Sequence, residues 1–445
     1  MTNPLLVLSD HAAGWRGRGL SAELRWHARR ALVDWFASLL PGCVRPPATL
    51  LVGGLASERG VGQAICYVDG ARANMRHAAL INAVASHTAE FDDIYRDAGY
   101  HPGAPTISAA LAAAQARGAS LEQLLAAIVA GYEVSCRIGL AVQPSHYRYW
   151  HTTATVGTFG AATATAVLLG LDATGTAHAL ATAATMAGGL QQAFRGDGMS
   201  KPMHAGHAAD AGMLAALSAA SGVTGALDVL HGPVGFAAAT SEDAGKWDRA
   251  LAGLGGPEAI TAMTFKNHGC CGHIFPALDA IAELRREHGF AAEAVSAIHV
   301  AGYGATQEVC DRPNAATEQE ARFSVQYCVA ALLSLGGVRL AAFTPERLAD
   351  PAMRAIMQKV TVSVDPELAH AYPGRRAARV TVRLSDGRVL ERYQPTRKGD
   401  PDAPLSDEDL SQKFMELAGP VIGPSATKAF LASLWNGDDL PGGLS

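Results

Sequence analysis

A chain of 445 residues is about three times a ~150-residue domain, so a second compact unit is expected, and either unit can bury a full core. Lys and Arg total 36 against 41 Asp and Glu, a net charge of −5 with histidines neutral, and 49% of residues are hydrophobic against 17% charged. That balance excludes a basic nucleic-acid footprint and a disordered chain. Near the N-terminus the apolar stretch runs only from Pro4 to Leu8, too short for a signal core or a membrane span. Later Ala-rich runs are broken by His, Asp, Arg or Gly before about eighteen residues pass. The expectation is a soluble cytoplasmic protein with no membrane or nucleic-acid partner. Seven cysteines, an odd number with only Cys270 and Cys271 adjacent, point to reduced thiols.

From Ala22 to Leu40 the residues Leu24, Trp26, Ala31, Leu32, Trp35, Phe36 and Leu39 recur at helical spacing, and Pro41-Gly42 is expected to end the run. Similar stretches follow at 74–89, 104–117, 120–138, 153–169, 174–187 and 203–221, separated by signals such as Gly170-Leu171-Asp172. With 47 glycines and only 6% aromatic residues, these helices are expected to pack closely through small side chains. After residue 290 the grammar changes. Ala297 to Tyr303 and Val360 to Val364 read as strands, and 378–393 places Asp386-Gly387 between two strand-like arms, a hairpin signal. Helices at 273–287 and 322–335 lie among them, which makes this unit α+β. Beyond Pro401 the pattern is helical again, at 406–418 and 424–435, and those apolar faces need the N-terminal helical mass as partner. The fold class expected is mainly α: an all-helical domain formed by 1–265 plus 402–445, with a smaller α+β domain at 266–401. The tail NGDDLPGGLS is expected to be mobile.

Four segments carry candidate chemistry. In the first, His87-Thr88-Ala89-Glu90-Phe91-Asp92-Asp93 closes an apolar helix with three carboxylates, and the chain returns through His101-Pro102-Gly103. A helix C-terminus repels anions, so acids there call for a partner or a chemical task. A metal site from His87, Asp92, Asp93 and His101 has only weak support from such spacing, and no metal is expected. In the second, His151 stands directly before a helix start, where its cationic form is disfavoured; alone it reads more often as a satisfied core histidine than as a functional one. The third, from Phe194 to His207, places Arg195, Lys201, His204 and His207 in a Gly-punctuated loop entering a helix, a ready anion site. The fourth is Lys266-Asn267-His268-Gly269-Cys270-Cys271-Gly272-His273, at the switch between the two grammars. Adjacent thiolates cannot spread to tetrahedral positions, which argues against zinc, while a thiol nucleophile at Cys270 or Cys271 stays open. Neither phosphate-binding glycine motif is present, so nucleotide cofactors lose their support.

Taken in order, HTAEFDD with its following HPG, GYEVSCRIG, WHTTATVGTFGAATATAVLLGLD, KPMHAGHAADAGMLAALSA, GPVGF and the lysine-plus-cysteine block resemble the MmgE/PrpD family over about residues 20–435. That family includes 2-methylcitrate dehydratase, cis-aconitate decarboxylase and iminodisuccinate epimerase. The resemblance implies a helical domain built from both chain ends, an inserted α+β lid, a homodimer, and action on small polycarboxylates without a metal or organic cofactor. By position it puts the acidic cluster on Asp92 and Asp93, the histidines on His101 and His151, the lysines on Lys201 and Lys266, and the tyrosine of an S-x-Q-Y pattern on Tyr327. Glu90, Ile94 and Cys271 stand where the decarboxylase-like pattern has Asp, Thr and His, which makes decarboxylation the least supported of the three activities.

The chemistries share one hard step, making or quenching negative charge on the carbon beside a carboxylate. The expected assignment makes His151 or His101 the proton-transfer group, with Asp92 or Asp93 fixing a tautomer. Lys201, Lys266 and Arg195 hold carboxylates, Tyr327 donates to a carboxylate or the leaving hydroxyl, and Cys271 and His204 line the substrate. The expected activity is a 2-methylcitrate dehydratase-like lyase, with an epimerase of amino- or imino-dicarboxylates as the alternative, followed by a decarboxylase or a non-catalytic scaffold.

Overall fold

Capping side chains set where several helices begin. In the computed structural model, which describes residues 2–194 and 198–444, Asn74 accepts from the His77 N–H at the head of Met75–Thr88. Ser120 and Gln123 form a reciprocal capping box ahead of Leu121–Val142, and Asp172 accepts from the Gly175 N–H ahead of Ala173–Met186. Long helices also cover Ala22–Cys43, Gly103–Arg117, Thr152–Leu169 and Ser200–Ala220. The apolar stretch at Pro4 opens a helix of its own, Pro4–Ala13, capped by Asn3. Pro41 does not end the Ala22–Cys43 helix as expected. It falls in the last turn, where it removes one hydrogen bond, and the packing of Ala37 to Cys43, all buried, carries the helix on to Cys43.

Two compact units result: Met1–Thr264 with Ser406–Ser445, and Phe265–Leu405. The first is held by close helix contacts. A Cβ on Gly212 would lie 2.3 Å from the Thr158 carbonyl oxygen and 2.7 Å from the Ala162 nitrogen, and one on Gly206 would lie 2.5 Å from Val84 Cγ2. Backbone atoms cannot rotate away. Gly212→Ala is therefore expected to push the Thr152–Leu169 and Ser200–Ala220 helices apart at a cost of about 1–3 kcal/mol. Urea unfolding reads this directly, and an unchanged midpoint would contradict the close approach.

Leu121–Val142 and Thr152–Leu169 are long and apolar enough to cross a membrane, contrary to the expectation that every such run breaks early. Glycine and threonine interrupt Thr152–Leu169 without adding charge, and Leu121–Val142 carries only the charges of Glu122, Glu133 and Arg137. Both helices are almost wholly buried as core helices of the unit.

The C-terminal return is tied in by charge. Lys413, on the Asp407–Ile422 helix, donates to Asp34 Oδ1 at 2.6 Å and to the Phe91 carbonyl at 2.7 Å, with lysine and aspartate both fully buried. Losing either partner would strand a buried charge, which typically costs about 3–5 kcal/mol. The tail expected to be mobile is also anchored. Arg29 donates to the Leu434 and Gly437 carbonyls, and the Tyr67 hydroxyl and Gln115 amide both donate to the Pro441 carbonyl. Three of those four bonds, to Gly437 and Pro441, satisfy backbone groups that a free tail would leave to water.

In the second unit a four-stranded sheet runs in the order Val360–Val364, Val295–Gly302, Ala378–Leu384, Val389–Gln394, the first pair parallel and the others antiparallel. Ile298, Val300, Val380, Val382 and Leu384 are buried, and the Phe275–His288 helix packs on the last two strands. Gly387 supplies the positive φ of 90° that the hairpin turn needs, and Asp386 accepts from the Arg388 N–H at 3.0 Å.

Candidate active site

The segment after the Met75–Thr88 helix turns back on itself because Glu90 adopts φ 61°, a left-handed conformation that costs a non-glycine residue on the order of 1–3 kcal/mol. The turn buries all three carboxylates and gives each a different neighbour. Asp92 Oδ2 meets His87 Nδ1 at 2.6 Å and His101 Nδ1 at 3.2 Å. A carboxylate only accepts, so the hydrogen-bonded His87 Nδ1 carries the proton and Nε2 is that ring's other end, while His101 Nδ1 stands at ion-pair distance from the same oxygen. Burial alone would raise Asp92, but the charges of His87 and then His101, with their hydrogen bonds, hold it well below the usual carboxylate range. His87, Asp92 and His101 offer ligand atoms within 4.8 Å of one another, a grouping these hydrogen bonds already account for.

Asp93 does something else. It accepts from the Tyr132 hydroxyl at 2.7 Å and from the Gly103 N–H at 2.9 Å, so it holds the head of the Gly103–Arg117 helix. Gly103 is needed there because a Cβ would lie 2.7 Å from Asp93 Oδ1. Burial, followed by the charge of Asp34, pushes the Asp93 carboxyl up to about 8. With the folded value above the unfolded one near 4, the folded state holds the extra proton between them. Stability then falls as pH rises from about 4 to about 8, by up to about 1.4 kcal/mol per pH unit. Asp93→Asn removes that slope, so the variant is expected to gain on the wild type in denaturation midpoint between pH 5 and pH 8. Parallel curves would refute it.

The third carboxylate, Glu90, pairs with the ammonium of Lys201, both side chains being buried. Lys201 sits in the first turn of Ser200–Ala220, where the helix dipole disfavours a cation, and Glu90 offsets this. His151 directly precedes Thr152–Leu169, and its N–H donates to the Gly189 carbonyl at 3.0 Å. Its Nδ1 lies 2.9 Å from His204 Nδ1, so one of these rings donates and the other accepts. The His151 ring stacks on His87, with centroids 5.5 Å apart and planes at 22°. Burial, then the charges of His87, Lys201, His204 and His101, hold His151 well below the usual imidazole range. Burial and the charges of His87, His207 and Lys201 bring His204 down to about 4.

The structure thus joins Asp92, His101, His151, His204 and Lys201 in the first unit, and places Asp93 beside them as a helix anchor. Arg195 lies outside the described residues. Sequence reasoning gave no role to Glu90 as the counter-ion of Lys201, and saw His87 only as a weak metal ligand. The signal for both is the Glu90 turn, which no spacing rule shows.

Lys266, Cys271 and Tyr327 belong to the second unit. Lys266 is buried, in a segment where the Phe265 N–H donates to the Gly399 carbonyl at 3.0 Å. Cys271 is half-buried and its N–H donates to the Arg322 carbonyl. Cys270 is fully buried, and burial with the neighbouring Cys328 pushes its thiol well up, which removes it as a nucleophile. Tyr327 is fully buried, donates its hydroxyl to the Ala342 carbonyl and stacks on Phe343. Ser324 of the S-x-Q-Y pattern caps the Val325–Leu335 helix through the Tyr327 N–H at 3.0 Å. A cavity of about 260 Å³ among Leu32, Phe430, Leu434 and Pro441 shares no residue with the histidine cluster.

Comparison with known proteins gives two family matches, the MmgE/PrpD N-terminal domain over residues 7–247 and the MmgE/PrpD C-terminal domain over residues 268–437. Among curated relatives, a cis-aconitate decarboxylase of Homo sapiens is 29% identical over 374 residues, covering 82% of this chain and 77% of the relative. A cis-aconitate decarboxylase-like protein, oryM, of Aspergillus oryzae is 27% identical over 427 residues, covering 91% and 88%. A cis-aconitate decarboxylase of Aspergillus terreus is 28% identical over 379 residues, covering 79% and 76%. With both family models matched in order along most of its length, this chain belongs to the MmgE/PrpD family.

Proposed function

We propose that the chain is a lyase acting on a small polycarboxylate, moving a proton at the carbon beside a carboxylate, with dehydration of a citrate-like hydroxy acid as its leading form. The observation that carries this reading is a neutral, buried His151 under the influence of the Lys201 ammonium. An imidazole kept unprotonated accepts a proton at neutral pH, and a cation close by stabilises the enediolate that results. Asp92 Oδ2 lies 3.2 Å from Nδ1 of His101, whose 15% exposed side chain makes it the second proton-transfer group. Lys201 lies at the head of Ser200–Ala220 and His151 at the head of Thr152–Leu169, so two helix N-termini add donors for an anion.

The relatives' names favour a second reading, loss of carbon dioxide from cis-aconitate. Glu90, Ile94 and Cys271 depart from the decarboxylase-like pattern and weigh against it. Proton NMR in deuterated water with citrate-like, aconitate-like and amino-dicarboxylate compounds separates the readings. Dehydration creates a vinyl signal from a hydroxy acid. Decarboxylation consumes cis-aconitate with release of carbon dioxide, and deuterium entering without an alkene would replace the lyase with an epimerase. No reaction with any of them would remove the proposal.

A further inference from the structure

His87 is sealed off in a way that His101 is not. Its side chain is 0% exposed, Nδ1 is held by Asp92 at 2.6 Å, and Nε2 is buried with no hydrogen-bond partner. One face stacks on His151 at 5.5 Å, while the ring meets His101 at 5.0 Å with planes at 67°. A ring so placed cannot reach a substrate, yet it touches both histidines assigned to proton transfer. We propose that His87 is a positioning residue: clamped by Asp92, it sets the charge state of His151 across the stack and orients His101 through the shared carboxylate.

Two imidazoles share one carboxylate oxygen, so the protons of His87, Asp92 and His101 belong to the group rather than to single residues. A proton added to the His87 ring, whose centroid is 5.5 Å from that of His151, opposes a further proton on His151. The other charged groups do not undo this. Glu90 is paired with Lys201, Asp34 is paired with Lys413, and His204 is itself held neutral at about 4. Lys201 adds to the opposition at His151.

The inference rests on reading His151 as the proton-transfer group, and the test keeps the two separable. His87→Asn keeps an N–H near the Nδ1 position for Asp92 and removes the ring with its charge. The acid limb of the kcat/KM profile is expected to move up by about one to two pH units. An acid limb superimposable on that of the wild type overturns the inference. In wild-type protein carrying ¹⁵N-labelled histidine, NMR at pH 7 is expected to show His87 protonated at Nδ1 and His151 neutral, and a charged His151 overturns the inference whether or not the variant folds. This arm needs no turnover, so it fails independently of the lyase reading, which falls if His151→Gln turns over like the wild type.

Discussion

Lys201→Met is expected to lower kcat/KM by about two to three orders of magnitude, the usual consequence of removing one preorganised group that stabilises developing negative charge. An ammonium about 4 Å from an enediolate oxygen is worth roughly 4 kcal/mol at an effective dielectric near 20, which sets the same scale. The substitution does a second thing, because it leaves Glu90 buried, charged and without its ion-pair partner, at a cost to stability of about 3–5 kcal/mol. The two effects come apart in the double variant Glu90→Gln/Lys201→Met, in which neither charge remains. Its urea midpoint is expected to recover most of the loss while its turnover stays low. A double variant that regains both would make the lysine a structural residue only, and a single variant with wild-type kcat/KM would remove it from the site.

Much of the helical architecture is legible in the sequence because apolar spacing and caps act locally. Ser120 and Gln123 start Leu121–Val142, and Asp386-Gly387 makes the hairpin turn. Pro41 misleads because the tertiary burial of Ala37 to Cys43 outweighs one lost backbone bond. The tail misleads because its composition says nothing about Tyr67 and Gln115, hundreds of residues away in the chain, which hold the Pro441 carbonyl. At the site, the types of residue are readable but their division of labour is not. Three carboxylates within four positions look equivalent until the left-handed turn at Glu90 gives one to Lys201, one to two histidines and one to a helix head. Likewise Tyr327 carries a recognisable pattern, yet its hydroxyl answers to the Ala342 carbonyl.

His151→Gln is expected to cut kcat about 10²- to 10⁴-fold, the range for losing a positioned acid or base, with a much smaller change in KM. The reason lies in its charge state. A free imidazole is half protonated near pH 6.5, whereas burial, then His87, Lys201, His204 and His101, keep His151 neutral well below that value. Wild-type kcat/KM should therefore hold its plateau through pH 6, where an ordinary histidine base would already have lost most of its activity. The same displacement has a signature in stability. The unfolded chain takes up a proton at this position as pH falls through about 6.5 and the folded chain does not, so this contribution is present above that pH and is lost progressively below it. The Gln variant lacks a titrating group there, so its thermal midpoint should fall less steeply than that of the wild type between pH 6.5 and pH 4.5. Full turnover in the folded variant would take proton transfer away from His151, and an acid limb centred near pH 6.5 in the wild type would mean that the imidazole is not held neutral by its neighbours.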